Sequence, residues 1–328
     1  MKNFRALALF SGGLDSMLSI KLISDQGINV VAINMNIGFG SKKNMSEIMK
    51  KRAEKAGAAF KMVDVRELYL KDILFDPKFG YGKHFNPCID CHGFMFRSAK
   101  RLLKEYDADF LITGEVLGQR PMSQRADALQ SVKNLAEDED NLILRPMCAK
   151  LLEPTKPEIE GWVEREKLLG ISGRSREVQI SLAQKFGWED YEKPGGGCLL
   201  TDKYFSQKMS DFIKYDKFEV EDIQLIKFGR HLRLPDGAKL VIGRDKEENE
   251  ILENIKNSKM EFIKLKEIAG PLSLISKTAT KEDRVLAVKI ILTFTKANKN
   301  EEYDVIFEKE TVKASPFENR SKAMEYYV

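Results

Sequence analysis

The sequence is poor in cysteine and has no long hydrophobic run, and both absences restrict what the protein can be. Its four cysteines, Cys88, Cys91, Cys148 and Cys198, are too few among 328 residues for a disulfide scaffold. No stretch of 18 apolar residues occurs, so we expect no transmembrane helix. The apolar stretch at the N-terminus is too short for a signal-peptide core. We therefore expect a cytoplasmic protein whose reduced thiols are available for metal, redox or sulfur chemistry.

Neither sign of charge dominates the chain. There are 54 lysines and arginines against 50 aspartates and glutamates, which gives a net charge of +4. This mild basicity permits a polyanionic partner such as RNA without requiring one. The length of 328 residues favours two domains over one.

Short apolar runs alternate with helical patterns in the first half of the chain. This alternation predicts an α/β fold with a parallel sheet. The predicted strands are Ala6–Phe10, Asn29–Asn36, Phe60–Val65 and Phe110–Thr113, and the predicted helices are Leu14–Gln26, Lys43–Ala56 and Phe94–Tyr106. Ligands bind such sheets outside the carboxyl ends of the strands. The glycine turns Ser11–Gly13 and Gly114 follow two of these strands, so we expect both to face one cleft.

The pattern changes after Lys203, where lysine becomes more frequent. A hairpin is predicted over Leu232–Gly243, and further strands over Val285–Phe294 and Tyr303–Phe307. These elements predict a second, smaller α+β domain.

The segment Ser11-Gly12-Gly13-Leu14-Asp15-Ser16 is typical of a phosphate-binding turn, because it follows a predicted strand and opens a helix. Adjacent glycines allow backbone N–H groups to approach an anion, and the helix N-terminus adds a favourable dipole. Ser11 and Ser16 supply hydroxyl groups, and Asp15 can hold a metal ion against the phosphates. The spacing differs from the Walker A loop and from the GxGxxG turn. A plain glycine turn is the alternative structural interpretation.

This turn resembles the signature of the PP-loop ATP pyrophosphatases, and the resemblance covers about the first 200 residues. It implies an adenine nucleotide alpha hydrolase-like fold that binds ATP and Mg²⁺, so that an acceptor attacks the α-phosphorus and pyrophosphate leaves. On this basis we expect a PP-loop ATP-binding domain over residues 1–170, a cysteine-bearing extension over 171–205 and a small α+β domain over 206–328. The last of these resembles the RNA-associated NFACT-R domains.

Two further resemblances direct this chemistry to tRNA. Thr113–Gln119 and Leu144–Met147 are similar to segments of the 4-thiouridine synthases, which implies that Gly114 and Gln119 contribute to the nucleotide site. Asn86–His92 resembles a stretch of the tRNA 2-thiouridylases, in which Cys91 matches the first catalytic cysteine. Cys198, at the end of a glycine-rich turn, matches the second. The chain therefore has features of both groups.

The thiols leave more than one chemistry open. In a relay, a persulfide on Cys198 attacks the adenylated uracil carbon and a thiol of the Cys88–Cys91 pair resolves the disulfide. Alternatively, Cys88, Cys91 and Cys198 hold a [4Fe–4S] cluster with one iron open for sulfide, and the additional thiol of Cys88 favours this arrangement. A structural zinc site completed by His84 or His92 is a third interpretation.

From these features we expect an enzyme that thiolates a tRNA uridine, using ATP, tRNA and a sulfur donor that is either a persulfide carrier or sulfide. The expected catalytic residues are Cys91, Cys198 and Asp15, and the expected nucleotide-binding residues are Ser11, Gly12, Gly13, Asp15, Ser16, Gly114 and Gln119. Two alternatives stay open at this stage. One is a PP-loop amidating ligase for a small metabolite, and the other is a non-catalytic RNA-binding or sulfur-carrier protein.

Overall fold

The computed structural model describes residues 3–41, 45–192 and 198–328. The chain divides into two compact units, Met1–Thr201 and Asp202–Val328. The expected fold class is confirmed, because the first unit contains a parallel sheet and the second a smaller antiparallel sheet with helices. The three-part division of the chain remains a prediction.

A five-stranded parallel sheet in the order β3-β2-β1-β4-β5 organises the first unit. Its strands are β1 (Arg5–Leu9), β2 (Asn29–Asn36), β3 (Ala58–Asp64), β4 (Phe110–Thr113) and β5 (Ile143–Leu144). The α-helices are α1 (Leu14–Ser24), α2 (Ser46–Ala56), α3 (Arg66–Tyr69), α4 (Cys88–Leu102), α5 (Ala126–Leu135), α6 (Lys156–Ile159) and α7 (Glu177–Lys185).

The order of successive strands across the sheet reverses at β1, with β2 and β3 on one side of it and β4 and β5 on the other. β1 pairs with β2 on one side and with β4 on the other, and Leu9 lies opposite Thr113 in the β1–β4 register. The turns that follow these two strands therefore leave the sheet at the same edge, beside each other. In open parallel sheets this switch point is where ligands bind.

The core of the first unit forms between the sheet and the helices that pack on it. Leu14, Met17, Leu18 and Ile20 of α1 are fully buried among strand residues such as Ile112. Ala183 of α7 and Trp188 belong to the same cluster. The chain beyond α6 is therefore part of this core. This packing holds the side chains of α7 close to the first turn of α1.

Two helix starts differ from the sequence prediction. The helix expected to begin at Phe94 begins six residues earlier, at Cys88, directly after Pro87. The first described residues of α2 start at Ser46, and residues 43 and 44 of the predicted helix lie outside the described residues. The first correction matters most, because it puts Cys88 and Cys91 in the first turn of a helix.

The second unit contains a six-stranded antiparallel sheet in the order β11-β10-β8-β9-β7-β6. Its strands are β6 (Arg230–Arg233), β7 (Lys239–Ile242), β8 (Met260–Leu265), β9 (Ser273–Ser276), β10 (Tyr303–Ile306) and β11 (Thr311–Ala314). The helices are α8 (Lys203–Tyr215), α9 (Asp222–Lys227), α10 (Lys246–Glu253), α11 (Lys281–Thr293) and α12 (Arg320–Met324).

The strand predicted over Val285–Phe294 is wrong, because this segment lies in helix α11. The hydroxyl of Thr280 accepts a 3.1 Å hydrogen bond from the backbone N–H of Asp283 and so caps the helix. Ala287, Val288 and Ile291 follow at helical spacing and are fully buried. Apolar residues of the predicted strand, including Val288, Ile290 and Ile291, instead form the core face of the helix.

None of the helices in the described part of the chain has both the length and the apolar character that a membrane crossing requires.

Candidate functional site

The turn between β1 and α1 has the backbone geometry of an anion-binding loop. Gly12 has a φ of +78°, a left-handed conformation that favours glycine. Gly13 is the N-cap of α1 and provides no side chain to cap the first N–H groups of the helix. Ser16 donates a 2.7 Å hydrogen bond from its hydroxyl to the carbonyl of Gly13, and Ser11 is exposed. Backbone N–H groups at this helix start are suited to a phosphate.

Gly114 lies directly against this turn. A Cβ built on Gly114 would stand 2.5 Å from the backbone nitrogen of Ser16 and 2.7 Å from the carbonyl carbon of Asp15. One turn along α1, the hydroxyl of Ser19 donates a 3.0 Å hydrogen bond to the carbonyl of Thr113. The end of β4 and the first turn of α1 are thus in backbone contact, which requires glycine at position 114.

Asp15 is held by a polar network from two distant segments. The side-chain amide of Gln119 donates a 2.7 Å hydrogen bond to Asp15 Oδ2, and Gln119 Oε1 accepts one of 3.0 Å from Gln179 Nε2. The Arg176 guanidinium lies 3.7 Å from Asp15 Oδ2. Within the described residues, Asp15 Oδ1 and Arg176 Nε are buried without a hydrogen-bond partner. A magnesium–phosphate ligand would satisfy both kinds of group, an anionic oxygen and a cationic donor.

Arg176 and Gln179 were not predicted as site residues. Arg176 stands in a basic cluster, Gly173–Arg176, for which RNA contact or solvated surface charge is the natural interpretation of the sequence. The structure places its side chain, which is only 14% exposed, beside Asp15 instead. Gln179 is fully buried. Only the three-dimensional packing of α7 near α1 brings these residues to the turn.

A second arginine fastens the chain after α7 to the phosphate turn. Arg52 donates a 3.1 Å hydrogen bond to the carbonyl of Gly12 and forms a 2.9 Å ion pair with Asp190. An isolated parallel bridge also joins Gly13 to Glu192. The segment that leads toward Cys198 therefore starts at the phosphate turn. The predicted glycine turn at Gly195–Gly197 lies outside the described residues.

Three thiols lie around the side chain of Tyr69, which is fully buried. Burial raises the pKa of the Tyr69 phenol, and nearby negative charge at Cys91, Cys198 and Cys88 raises it further. Burial likewise raises the pKa of the Cys91 thiol, as does its proximity to Cys198. The three cysteines are therefore brought together, and burial favours the thiol over the thiolate at Cys91 and at Cys88.

The three thiols differ in access. Cys91 is 8% exposed, whereas Cys88 and Cys198 are half-buried. Asn86 donates a 2.9 Å hydrogen bond to the sulfur of Cys88, and the Cys198 thiol donates one of 3.4 Å to the carbonyl of Phe39. Glycine and charged residues surround Cys91 in the sequence, but the residue falls on the buried face of α4.

No three His, Cys, Asp or Glu side chains in the described ranges are arranged to hold a metal ion. This holds for the cluster expected at Cys88, Cys91 and Cys198 and for a zinc site completed by His84 or His92. The cluster remains a prediction from the sequence.

His92 is part of a different arrangement. Its Nδ1 lies 2.8 Å from Glu115 Oε1, and Arg145 Nε donates a 2.9 Å hydrogen bond to Glu115 Oε2. Burial alone would raise the pKa of Glu115, but the Arg145 guanidinium and His92 hold it below its ordinary value. An ionised Glu115 can only accept, so Nδ1 of His92 is the protonated nitrogen. This buried group connects α4, the residue after Gly114 and the residue after β5.

Two parts of the chain match known families. Residues 2–175 match the family described as Thiamine biosynthesis protein (ThiI). The chain belongs to this family. The expected place of the ThiI-family chain among the tRNA-thiolating PP-loop proteins is thereby confirmed. Residues 229–326, in the second unit, match the family described as NFACT protein RNA binding domain.

Individual relatives share part of their length with this ThiI-family chain. It is 28% identical over 121 residues to the tRNA-specific 2-thiouridylase MnmA 2 of Clostridium botulinum, which is 34% of each chain. It is 24% identical over 144 residues to a probable tRNA sulfurtransferase of Thermococcus kodakarensis, covering 44% of this chain and 36% of the relative. The chain thus spans about a third of the length of these two curated relatives.

Among solved structures, the chain is similar to a 4-thiouridine synthetase in complex with RNA and bound ATP. The identity is 20%, the TM-score is 0.41, and the match covers 56% of this chain and 41% of that one.

Proposed function

We propose that the chain catalyses ATP-dependent thiolation of a tRNA uridine. The observation that carries this proposal is the presence of a phosphate turn and a group of three neighbouring thiols in one compact unit. A phosphate turn alone fits any ATP-dependent ligation, and thiols alone fit many redox proteins. Membership in the ThiI family and the thiolase names of the relatives support the combination.

ATP is the proposed first substrate, bound at the phosphate turn. The backbone N–H groups at the start of α1 would hold its phosphates, with the hydroxyls of Ser11 and Ser16 beside them. Mg²⁺ bound with the nucleotide supplies positive charge to the leaving pyrophosphate. Oδ1 of Asp15, which has no hydrogen-bond partner among the described residues, would contact this Mg²⁺ ion. The Arg176 guanidinium adds a second positive charge.

Activation of the uridine is an attack of its carbonyl oxygen on the α-phosphorus. The new O–P bond forms as the bond to pyrophosphate breaks, and the uracil N3–H proton is lost to give a neutral adenylated base. Gly114 allows the end of β4 to approach the turn, and Gln119 bonds to Asp15 beside it. The tRNA itself is the proposed partner of residues 229–326, which match an RNA-binding family.

Sulfur insertion is proposed to use Cys198 and Cys91. The terminal sulfur of a persulfide on Cys198 attacks the adenylated carbon, and AMP leaves. The Cys91 sulfur then loses its proton and attacks Cys198 Sγ, which breaks the bond to the uracil sulfur. The products are thiouridine and a Cys91–Cys198 disulfide, which a cellular dithiol must reduce. The nearness of the two sulfurs supports this order.

The test is reconstitution with purified chain, ATP, unmodified tRNA and a persulfide donor, followed by nucleoside mass spectrometry. Cys198→Ser should still adenylate the tRNA and release pyrophosphate, but it should release little AMP and make no thiouridine. Cys148→Ala is the matched control, because Cys148 is buried and donates to the carbonyl of Glu115 away from the other thiols. Full thiouridine formation by Cys198→Ser would refute the sulfur role of Cys198. If the wild-type chain transferred ammonia to a small metabolite and formed no thiouridine, the amidating ligase would be favoured.

A further inference from the structure

The loop before α4 presents aromatic side chains to solvent. Phe79 is 47% exposed and Tyr81 is 41% exposed, in a loop that spans residues 75–87 and is called the aromatic loop below. Met122, which is 45% exposed, reaches the same surface, because a Cβ on Gly82 would stand 2.9 Å from Met122 Cε. Large apolar side chains grouped on a surface mark an interaction site more often than single ones do.

The aromatic loop is held in place from beneath. Asp90, only 3% exposed, accepts hydrogen bonds of 2.9 Å from Lys78 N and 3.0 Å from Phe79 N. The Tyr81 hydroxyl donates a 2.6 Å hydrogen bond to the carbonyl of Leu74, and the Tyr81 ring packs edge-on against Phe85 at 5.5 Å. These hydrogen bonds and this ring packing therefore fix the exposed rings in position before a ligand binds, which lowers the entropy cost of binding.

The charge around these rings is mainly positive. Lys78, Lys83 and Arg120 are exposed basic residues of the loop and its neighbouring turn, against one exposed acid, Asp76. Arg120 is close enough to the Cys88 sulfur to favour its thiolate, although burial raises the pKa of Cys88 overall. The surface thus lies next to the thiols, and the aromatic loop runs directly into Cys88.

We propose that the aromatic loop is a stacking platform for unpaired RNA bases next to the target uridine. Flat rings bind unpaired bases of any sequence by stacking, and flanking lysines and arginines bind the phosphates. A fixed aromatic surface with basic neighbours fits this partner better than an apolar protein surface, which would not need the lysines. The proposal rests on the proposed function, because it assigns the tRNA to this side of the thiol site.

Photocrosslinking tests the contact without depending on catalysis. A tRNA transcript that contains 5-bromouridine is irradiated with the full chain, and the crosslinked peptides are identified by mass spectrometry. The proposal expects crosslinks at Phe79 or Tyr81. Crosslinks confined to residues 229–326 would overturn it, even if thiolation proceeds.

Substitution of Phe79 tests the energetic contribution. Phe79→Ala and Phe79→Leu should both raise the KM for tRNA by between about 5- and 150-fold, since stacking of one base contributes about 1–3 kcal/mol. Leucine keeps apolar bulk and loses the flat ring, so a Phe79→Leu variant with wild-type KM would overturn stacking. A change of oligomeric state in either variant would identify a protein interface instead. ATP affinity should not change.

Ile159→Ala is the control, because Ile159 is an exposed apolar residue of the same unit, 72% exposed, outside this surface. It should leave the KM for tRNA unchanged. Wild-type chain that crosslinks through the aromatic loop but forms no thiouridine would refute the proposed function alone.

Discussion

The side chains of Gln119 and Asp15 are joined by a 2.7 Å hydrogen bond from Gln119 Nε2 to Asp15 Oδ2, across 104 residues of sequence. This bond fixes one carboxylate oxygen and leaves the other, Oδ1, buried without a partner in the described structure. The turn after β4 therefore sets the orientation of an acid in the first turn of α1.

Gln119→Ala should weaken ATP binding by about tenfold, because Asp15 loses the bond that orients it, and one hydrogen bond to a charged group contributes about this much. The unfolding free energy should also fall by about 1–3 kcal/mol, because the variant leaves the buried Gln179 Nε2 without its acceptor. Calorimetric titration with ATP and Mg²⁺ measures the effect. Gln130→Ala is the matched control, since Gln130 is exposed on α5 and bonds only to Asn134 among the contacts described here. An unchanged Kd in Gln119→Ala would contradict the assigned role.

Gly114→Ala should both destabilise the chain and abolish ATP binding. Its Cβ would stand 2.5 Å from Ser16 N, so β4 and α1 must move apart. Overpacking of this kind costs about 1–3 kcal/mol of unfolding free energy. Gly40→Ala provides the comparison, because a Cβ at Gly40 meets nothing within 4 Å. If Gly114→Ala bound ATP normally, the close approach would not be needed for the site.

Arg145→Leu should destabilise the chain by about 3–5 kcal/mol, because it leaves the buried carboxylate of Glu115 without its charged partner. Both side chains of this pair are less than 10% exposed. Adding Glu115→Gln to the same variant should recover a large part of the loss. Urea unfolding of the two single variants and the double variant measures the coupling. Losses that simply add would show that Arg145 and Glu115 act independently.

The stability of the second unit should rise with pH above about 8. Burial lowers the pKa of Lys239 from 10.5 to about 8, although Asp211 at 2.6 Å favours its charged form. The unfolded chain therefore holds more protons than the folded chain between these two values, and stability increases with pH across that interval. The gain is roughly 1–3 kcal/mol.

Lys239→Met provides the reference for this effect, since methionine fills a similar volume and does not titrate. The difference in unfolding free energy between wild type and Lys239→Met, measured from pH 7.5 to pH 10, should shift in favour of wild type as the pH rises. A constant difference would show that Lys239 keeps its ordinary pKa in the folded chain.

The sequence was sufficient where the site depends on local geometry. The order of strand, glycine turn and helix around Gly12 and Asp15 follows from short-range patterns, and so does the position of Gly114 after a strand. The parallel register of β1 and β4 then brings these turns together, as expected. These features needed no knowledge of distant contacts.

The remainder of the site depends on contacts that no local pattern encodes. Arg176 and Gln179 reach the site of Asp15 only because α7 packs beside α1. In the sequence, the basic cluster that contains Arg176 indicates solvated surface charge. Glycine and charged residues surround Cys91 in the sequence, yet α4 buries the face on which Cys91 lies. The error over Val285–Phe294 has the same origin, since buried helices and strands share apolar runs.

The covalent connection between Glu192 and Cys198 limits the distance between the Cys198 thiol and the phosphate turn. Glu192 bridges to Gly13 at the phosphate turn, and Cys198 bonds to Phe39 six residues later. Six residues of fully extended backbone reach at most about 22 Å. Whatever path residues 193–197 take, the covalent chain cannot let Cys198, the proposed sulfur carrier, lie farther than this from the bridge at the phosphate turn. Inserting residues between 192 and 198 would relax this limit while leaving both anchors in the chain.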